Sequence, residues 1–132
     1  MTNELAEAGA GRVRVAASSA GHPRPVLVRA DGSAEMLECG GTLLGVVPDP
    51  ELHDVHVELG PGDAVVLYTD GVTEARRGND LFGEGRLVLA LAALAGRSAE
   101  EIASGLEAAV AEFRRSASDD TAILVVQAVA PA

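Results

Sequence analysis

The chain contains no Trp and no Lys, and its 132 residues include one Cys, one Tyr and two Phe. With aromatic side chains at 2%, any core has to be built from Ala, Val and Leu. Ten Arg stand against twenty carboxylates, for a formal charge of −10. That balance repels phosphate backbones and anionic lipid surfaces, so neither nucleic acid nor a membrane surface is an expected partner. A lone Cys39 cannot close an internal disulfide, and no N-terminal run resembles a secretory apolar region, which fits a cytoplasmic location. Cys39 lies beside Gly40 and Gly41 and reads as a small packed residue, because no motif places His53 or His56 to activate it. Every apolar run is broken by Gly or charge before the roughly 20 residues a membrane span needs.

What is present is 48% apolar residues, enough for one domain with a core of its own. Residues 1–11 lack a core pattern and read as a lead-in, a frayed stretch or short helix. Arg12 to Ala16 alternates polar and apolar residues, and Pro25 to Arg29 follows the turn Gly21-His22-Pro23, so the two predict a hairpin. Asp31-Gly32 turns the chain again into Ala34 to Glu38, and the first forty residues read as a meander. Val55 and Val57 mark a further strand. Pro61-Gly62-Asp63 turns it into Ala64 to Tyr68, whose residues are apolar on both faces and therefore call for burial.

The period then changes. Leu87, Leu91 and Leu94 recur at helical spacing up to Gly96, and Ser98 with Glu101 forms a capping box for a second helix with Ile102, Leu106, Ala109, Val110 and Phe113 on one face. Arg114 and Arg115 fall in its last turn, where positive charge complements the helix dipole. Thr121 to Val129 is the closing strand. Strands followed by two helices and a last strand favour an α+β layered domain.

Two acidic elements carry the chemistry. The apolar run Ala64 to Tyr68 ends in Thr69-Asp70-Gly71, and Ser118-Asp119-Asp120-Thr121 opens the last apolar run. If the two strands lie adjacent and antiparallel, Asp70 and Asp119 meet at one end of a sheet. Hard oxygen ligands with little His or Cys nearby suit Mg²⁺ or Mn²⁺ better than zinc or copper. The same residues are also what turns and caps use, so spacing alone leaves both readings open.

The series Ala20-Gly21-His22-Pro23, Leu44-Gly45-Val46, Gly62-Asp63, Leu67 to Ala75, Phe82-Gly83 and Asp119-Asp120-Thr121-Ala122 resembles the C-terminal half of a SpoIIE-like, PPM-type serine/threonine phosphatase domain. The likeness covers residues 12–129, taken as the domain. It implies a partial α-β-β-α sandwich with an antiparallel sheet and two helices before the last strand. It also implies Asp70, Gly71 and Asp119 at a Mn²⁺ or Mg²⁺ site, Gly71 allowing close backbone approach, with Asp120 and Glu74 as supporting groups around metal-held water. In such enzymes two metal ions assist direct attack of water on phosphorus, so no residue of this half is assigned as a catalytic group. Metal is also what would offset the acidic surface for a phosphorylated substrate. His22 reads as a structural turn residue, and Arg24 and Arg29 as solvated strand residues.

The element that carries the family's metal-bridging aspartate does not occur before Ala20. The resemblance therefore implies a phosphatase that is incomplete or weakly active as this chain, or alternatively a non-catalytic remnant that binds a partner in a phosphorylation-controlled switch. The implied partner is a phosphoprotein such as an anti-sigma-factor antagonist. A half sandwich exposes sheet surface, Ala64 to Tyr68 above all, so a homodimer is expected.

Overall fold

The computed structural model describes residues 2–7, 13–18, 23–37, 54–115 and 121–129, with backbone alone for 2–7, 13–18 and 54–57. Its framework is two antiparallel sheets. The first contains β1 (Thr2–Glu7), β2 (Val13–Ser18) and β5 (Asp54–Leu59) in the order β1-β2-β5. The second contains β3 (Val26–Val28), β4 (Ala34–Met36), β6 (Ala64–Tyr68) and β9 (Ile123–Gln127) in the order β4-β3-β6-β9. A short ribbon of β7 (Arg76–Arg77) and β8 (Asp80–Leu81) follows the one-turn helix α1 (Asp70–Thr73). Helices α2 (Gly83–Ala93) and α3 (Ala99–Arg114) precede the last strand, as expected.

The second sheet organises the core. Along β6, Ala64, Val66 and Tyr68 join Val26 and Val28 under Leu87, Leu91, Ile102, Leu106, Val110 and Phe113 of α2 and α3. The alternate residues Val65 and Leu67 point to the other face, with Leu27, Leu37, Leu59 and Ala128. This period-two split is why a strand apolar on both faces had to be central. β6 is flanked by β3 and β9 and covered on both faces by this chain itself. It is therefore not the strand that needs cover from a second molecule.

Three local expectations are corrected. Residues 2–7 are a strand paired along its whole length with β2, not a frayed lead-in. β2 does not form a hairpin with β3; it pairs with β1 and β5. The buried β3 takes β4 and β6 on its two edges, which leaves no edge for β2. Likewise β5 does not turn back on β6, because the intervening residues cross from one sheet to the other. Alternation identifies a strand but says nothing of its partner.

Asp63 organises that crossing. Its carboxylate accepts from the N–H groups of Ala30 at 2.8 Å and Gly60 at 2.9 Å and from Arg29 Nη1 at 2.9 Å, while the same Arg29 nitrogen donates to the Glu58 carbonyl at 2.8 Å. Arg29 is thus committed to an ion pair and is not a solvated strand residue. Next to it Gly62 has φ +88°, and a Cβ there would lie 3.0 Å from that of Ala30, so this position requires glycine on both counts.

The predicted turn and caps are present. Asp31 Oδ1 accepts from the N–H and hydroxyl of Ser33, closing the β3–β4 hairpin. Ser98 and Glu101 form the capping box of α3. Where α2 and α3 meet, a Cβ on Gly105 would lie 2.6 Å from a methyl of Leu94, so the glycine allows a close helix approach despite its low helix propensity.

Candidate metal centre

β6 delivers its last buried residue, Tyr68, and then Thr69 and Asp70 emerge at the surface. Tyr68 is opposite Ile123 in the β6–β9 ladder. One residue further on, the Thr69 N–H donates to the Ala122 carbonyl at 3.1 Å, and the Ala122 N–H donates to Thr69 Oγ1 at 3.0 Å. The chain therefore enters β9 at the sheet end where it leaves β6, the antiparallel arrangement the two acidic elements required.

Asp70 opens α1. Its carbonyl accepts from the Glu74 N–H at 2.8 Å and from the Thr73 hydroxyl at 3.5 Å, which closes the turn by backbone and leaves the carboxylate outside it. Among the described residues that carboxylate is exposed and has no hydrogen-bond or ionic partner. Gly71 is the second residue of α1, and Glu74 caps its C-terminus with its side chain exposed. Asp119 and Asp120 lie outside the described residues, as do His22 and Cys39. Thr121 is the first described residue on the β9 side.

Hydrogen bonds and an ion pair tie this end to its surroundings. The Tyr68 hydroxyl donates to the Arg24 carbonyl at 2.6 Å. Burial pushes its pKa up to about 12, and the nearby Glu84 and Asp70 carboxylates push the same way. Tyr68 therefore keeps its proton at neutral pH and serves as an anchor. Arg24 pairs with Glu84 at 3.2 Å. Arg114 Nη1 donates to Thr121 Oγ1 at 3.4 Å, tying the end of α3 to the start of β9. The α3 carbonyls of Phe113 and Glu112 accept from Arg77 at 2.8 and 3.4 Å. Arg77 and Arg86 each stand 4.7 Å from the Phe113 ring centre, and Phe82 meets that ring edge-on at 5.5 Å. Sequence reading missed this Arg-Phe-Arg cluster. Arg76-Arg77 carries no periodic signal, and only the fold brings the ribbon to α3.

Among the described residues no group of three or more His, Cys, Asp or Glu side chains converges on one point. Asp70 is a single exposed carboxylate at the end of β6, and a carboxylate oxygen is a hard donor of the kind that Mg²⁺ and Mn²⁺ take.

Comparison with known proteins decides the family. The model for stage II sporulation protein E (SpoIIE) matches residues 2–129. The chain belongs to the SpoIIE family. The RsbU and RsbW domains of Rv1364c from Mycobacterium tuberculosis superpose with a TM-score of 0.67 at 29% identity, over 93% of this chain and 34% of that one. The SpoIIE phosphatase domain from Bacillus subtilis, presoaked with Mn, superposes with a TM-score of 0.64 at 16% identity, over 99% of this chain and 57% of that one. Protein IcfG of Synechocystis sp. is 32% identical over 76 residues, which are 57% of this chain and 12% of IcfG. The fold is thus that of PPM-type phosphatase domains, and the chain spans between about an eighth and just over half of these relatives. No helix among the described residues is long and apolar enough to cross a membrane.

Proposed function

We propose that this chain is a metal-dependent serine/threonine protein phosphatase domain of SpoIIE type, weakly active by itself, with Asp70 and Asp119 as ligands to Mn²⁺ or Mg²⁺. The observation that carries the reading is the double hydrogen bond between Thr69 and Ala122, which joins the acid-bearing exit of β6 to the start of β9. Asp70 presents a carboxylate without a partner among the described residues, on a backbone closed by its own carbonyl, so a ligand can be bound without breaking a hydrogen bond to any of them. Gly71 leaves the approach open, while Glu74 and Asp120 orient water. When bound, the metal neutralises phosphoryl oxygens and lowers the pKa of water. Tyr68 holds the strand end in place and transfers no proton.

The substrate we infer is a phosphoprotein of the anti-sigma-factor-antagonist kind, in a cytoplasmic switch. The Rv1364c relative, with RsbU and RsbW domains in one protein, supports a partner-switching context. The chain is also inferred to form a homodimer. The low expected turnover rests on the finding that, among the described residues, no three His, Cys, Asp or Glu side chains converge with Asp70 on one point. The same observation favours a second reading, a non-catalytic partner-binding unit.

Mn²⁺-dependent release of phosphate from a phosphoserine peptide separates the two. Slow turnover abolished by Asp70→Asn supports the enzyme. No turnover, together with retained metal-independent binding of the phosphoprotein, supports the binding unit.

A further inference from the structure

The four outer strands of the two sheets differ in how they are guarded. β1 carries Glu4 and Glu7, β5 carries Asp54 and Glu58, and the three-residue β4 carries an exposed Glu35. Charges of this kind keep open edges from pairing with other chains. β9 carries none, and in a chain of formal charge −10 the whole stretch Thr121 to Val129 is uncharged. Among the described residues no strand pairs with β9 on the side away from β6.

The hydrogen-bond parity of β9 is set. The Ala122 carbonyl accepts from Thr69, and Ala128 donates to Asp63 and accepts from Gly62, so the even-numbered residues face β6. The N–H and C=O groups of Ile123, Val125 and Gln127 therefore face outward. The Gln127 side chain does not screen this edge, because its amide donates to the carbonyls of Arg97 at 2.6 Å and Gly62 at 3.4 Å. On the face opposite the helices Leu124 lies beside Leu67, yet Leu67 is 6% exposed and Leu124 is 56% exposed. The apolar cover stops one strand short.

We propose that β9 is the self-association edge of this protein and that two copies join β9 to β9, antiparallel about Val125. This deepens the homodimer reading and rests on it. A two-fold axis at Val125 sets Ile123 against the partner's Gln127 and Val125 against the partner's Val125. These are outward-facing residues on both sides, so each exchanges backbone hydrogen bonds with its counterpart. The same register lays the partner's Val126 against Leu124, covering the exposed leucine. No like charges face each other across the pair, whereas the acidic surface elsewhere repels a further copy and closes the assembly at two.

Light scattering on size-exclusion fractions of the 132-residue chain, with amide hydrogen exchange on the same sample, tests the proposal. The expected result is a dimer mass with protected Ile123, Val125 and Gln127 amides. Leu124→Glu changes an exposed side chain and leaves the β6 ladder alone, so its melting temperature is expected to match the parent. Its dimer should dissociate at roughly tenfold lower dilution or less, with those amides deprotected. A dimer mass with fast-exchanging β9 amides, or one unaffected by Leu124→Glu, overturns the edge while keeping the homodimer. A monomer at every concentration overturns both, and a mass that grows without limit overturns the two-fold closure.

Discussion

Thr69 and Ala122 hold each other twice, backbone N–H to carbonyl at 3.1 Å and backbone N–H to hydroxyl at 3.0 Å, one residue before Asp70. The clamp uses a side chain where the regular ladder ends, so it extends strand register into the segment that carries the acid. Thr69→Val removes the acceptor and keeps the shape. It is expected to cost about 1 kcal/mol in urea unfolding, with Thr69→Ser close to the parent. A full effect in Thr69→Ser would show that the methyl, not the hydroxyl, matters.

Asp70 separates stability from binding. Its carboxylate is exposed and has no partner among the described residues. Asp70→Asn is expected to leave metal-free stability within about 0.5 kcal/mol of the parent. Titration calorimetry with Mn²⁺ should show weak binding heat for the parent and none for an Asp70→Asn, Asp119→Asn double variant. Equal heats from both proteins would remove Asp70 and Asp119 as ligands.

Asp63 is the opposite case. Burial raises its carboxyl pKa, but the N–H groups of Ala30 and Gly60 and the Arg29 guanidinium outweigh that and hold it below the ordinary 3.8. A carboxyl with a depressed folded pKa contributes stability that is present above its unfolded value and lost as the pH falls through the folded one. The parent should therefore lose stability from this group as the solution is acidified below about pH 4, and Asp63→Ala should lack that part of the pH dependence. At neutral pH, Asp63→Ala is expected to cost about 2 to 3 kcal/mol, since it strands a guanidinium and two N–H donors. Chemical denaturation at a series of pH values reads both effects.

Phe113 is 7% exposed and is where the ribbon, α2 and α3 converge through Arg77, Arg86 and Phe82. Phe113→Ala is expected to cost roughly 3 to 5 kcal/mol by thermal or chemical unfolding. Phe113→Leu keeps most of the apolar volume and should cost less, yet release the ribbon. Amide exchange in residues 76–81 that is no faster in Phe113→Leu than in the parent would show that the cation-ring contacts do not hold the ribbon.

Residue order alone determined a good deal of this protein. The buried character of Ala64 to Tyr68, the Asp31-Gly32 turn, the Ser98 capping box and the apolar face from Ile102 to Phe113 are local patterns whose physics acts within a few residues. The acid-ended strand and the Asp-Asp-Thr start of the last strand were legible together with their family likeness. Tertiary structure alone decided who pairs with whom. β2 left β3 for β1 and β5, residues 2–7 became a strand, and the chain changed sheets through Asp63, because ladder partners are chosen by non-local register and by which edges remain open. The same holds for the clamp beside Asp70. Thr69 and Ala122 are ordinary residues in sequence, and only the antiparallel pairing of β6 with β9 makes one the hydrogen-bond partner of the other.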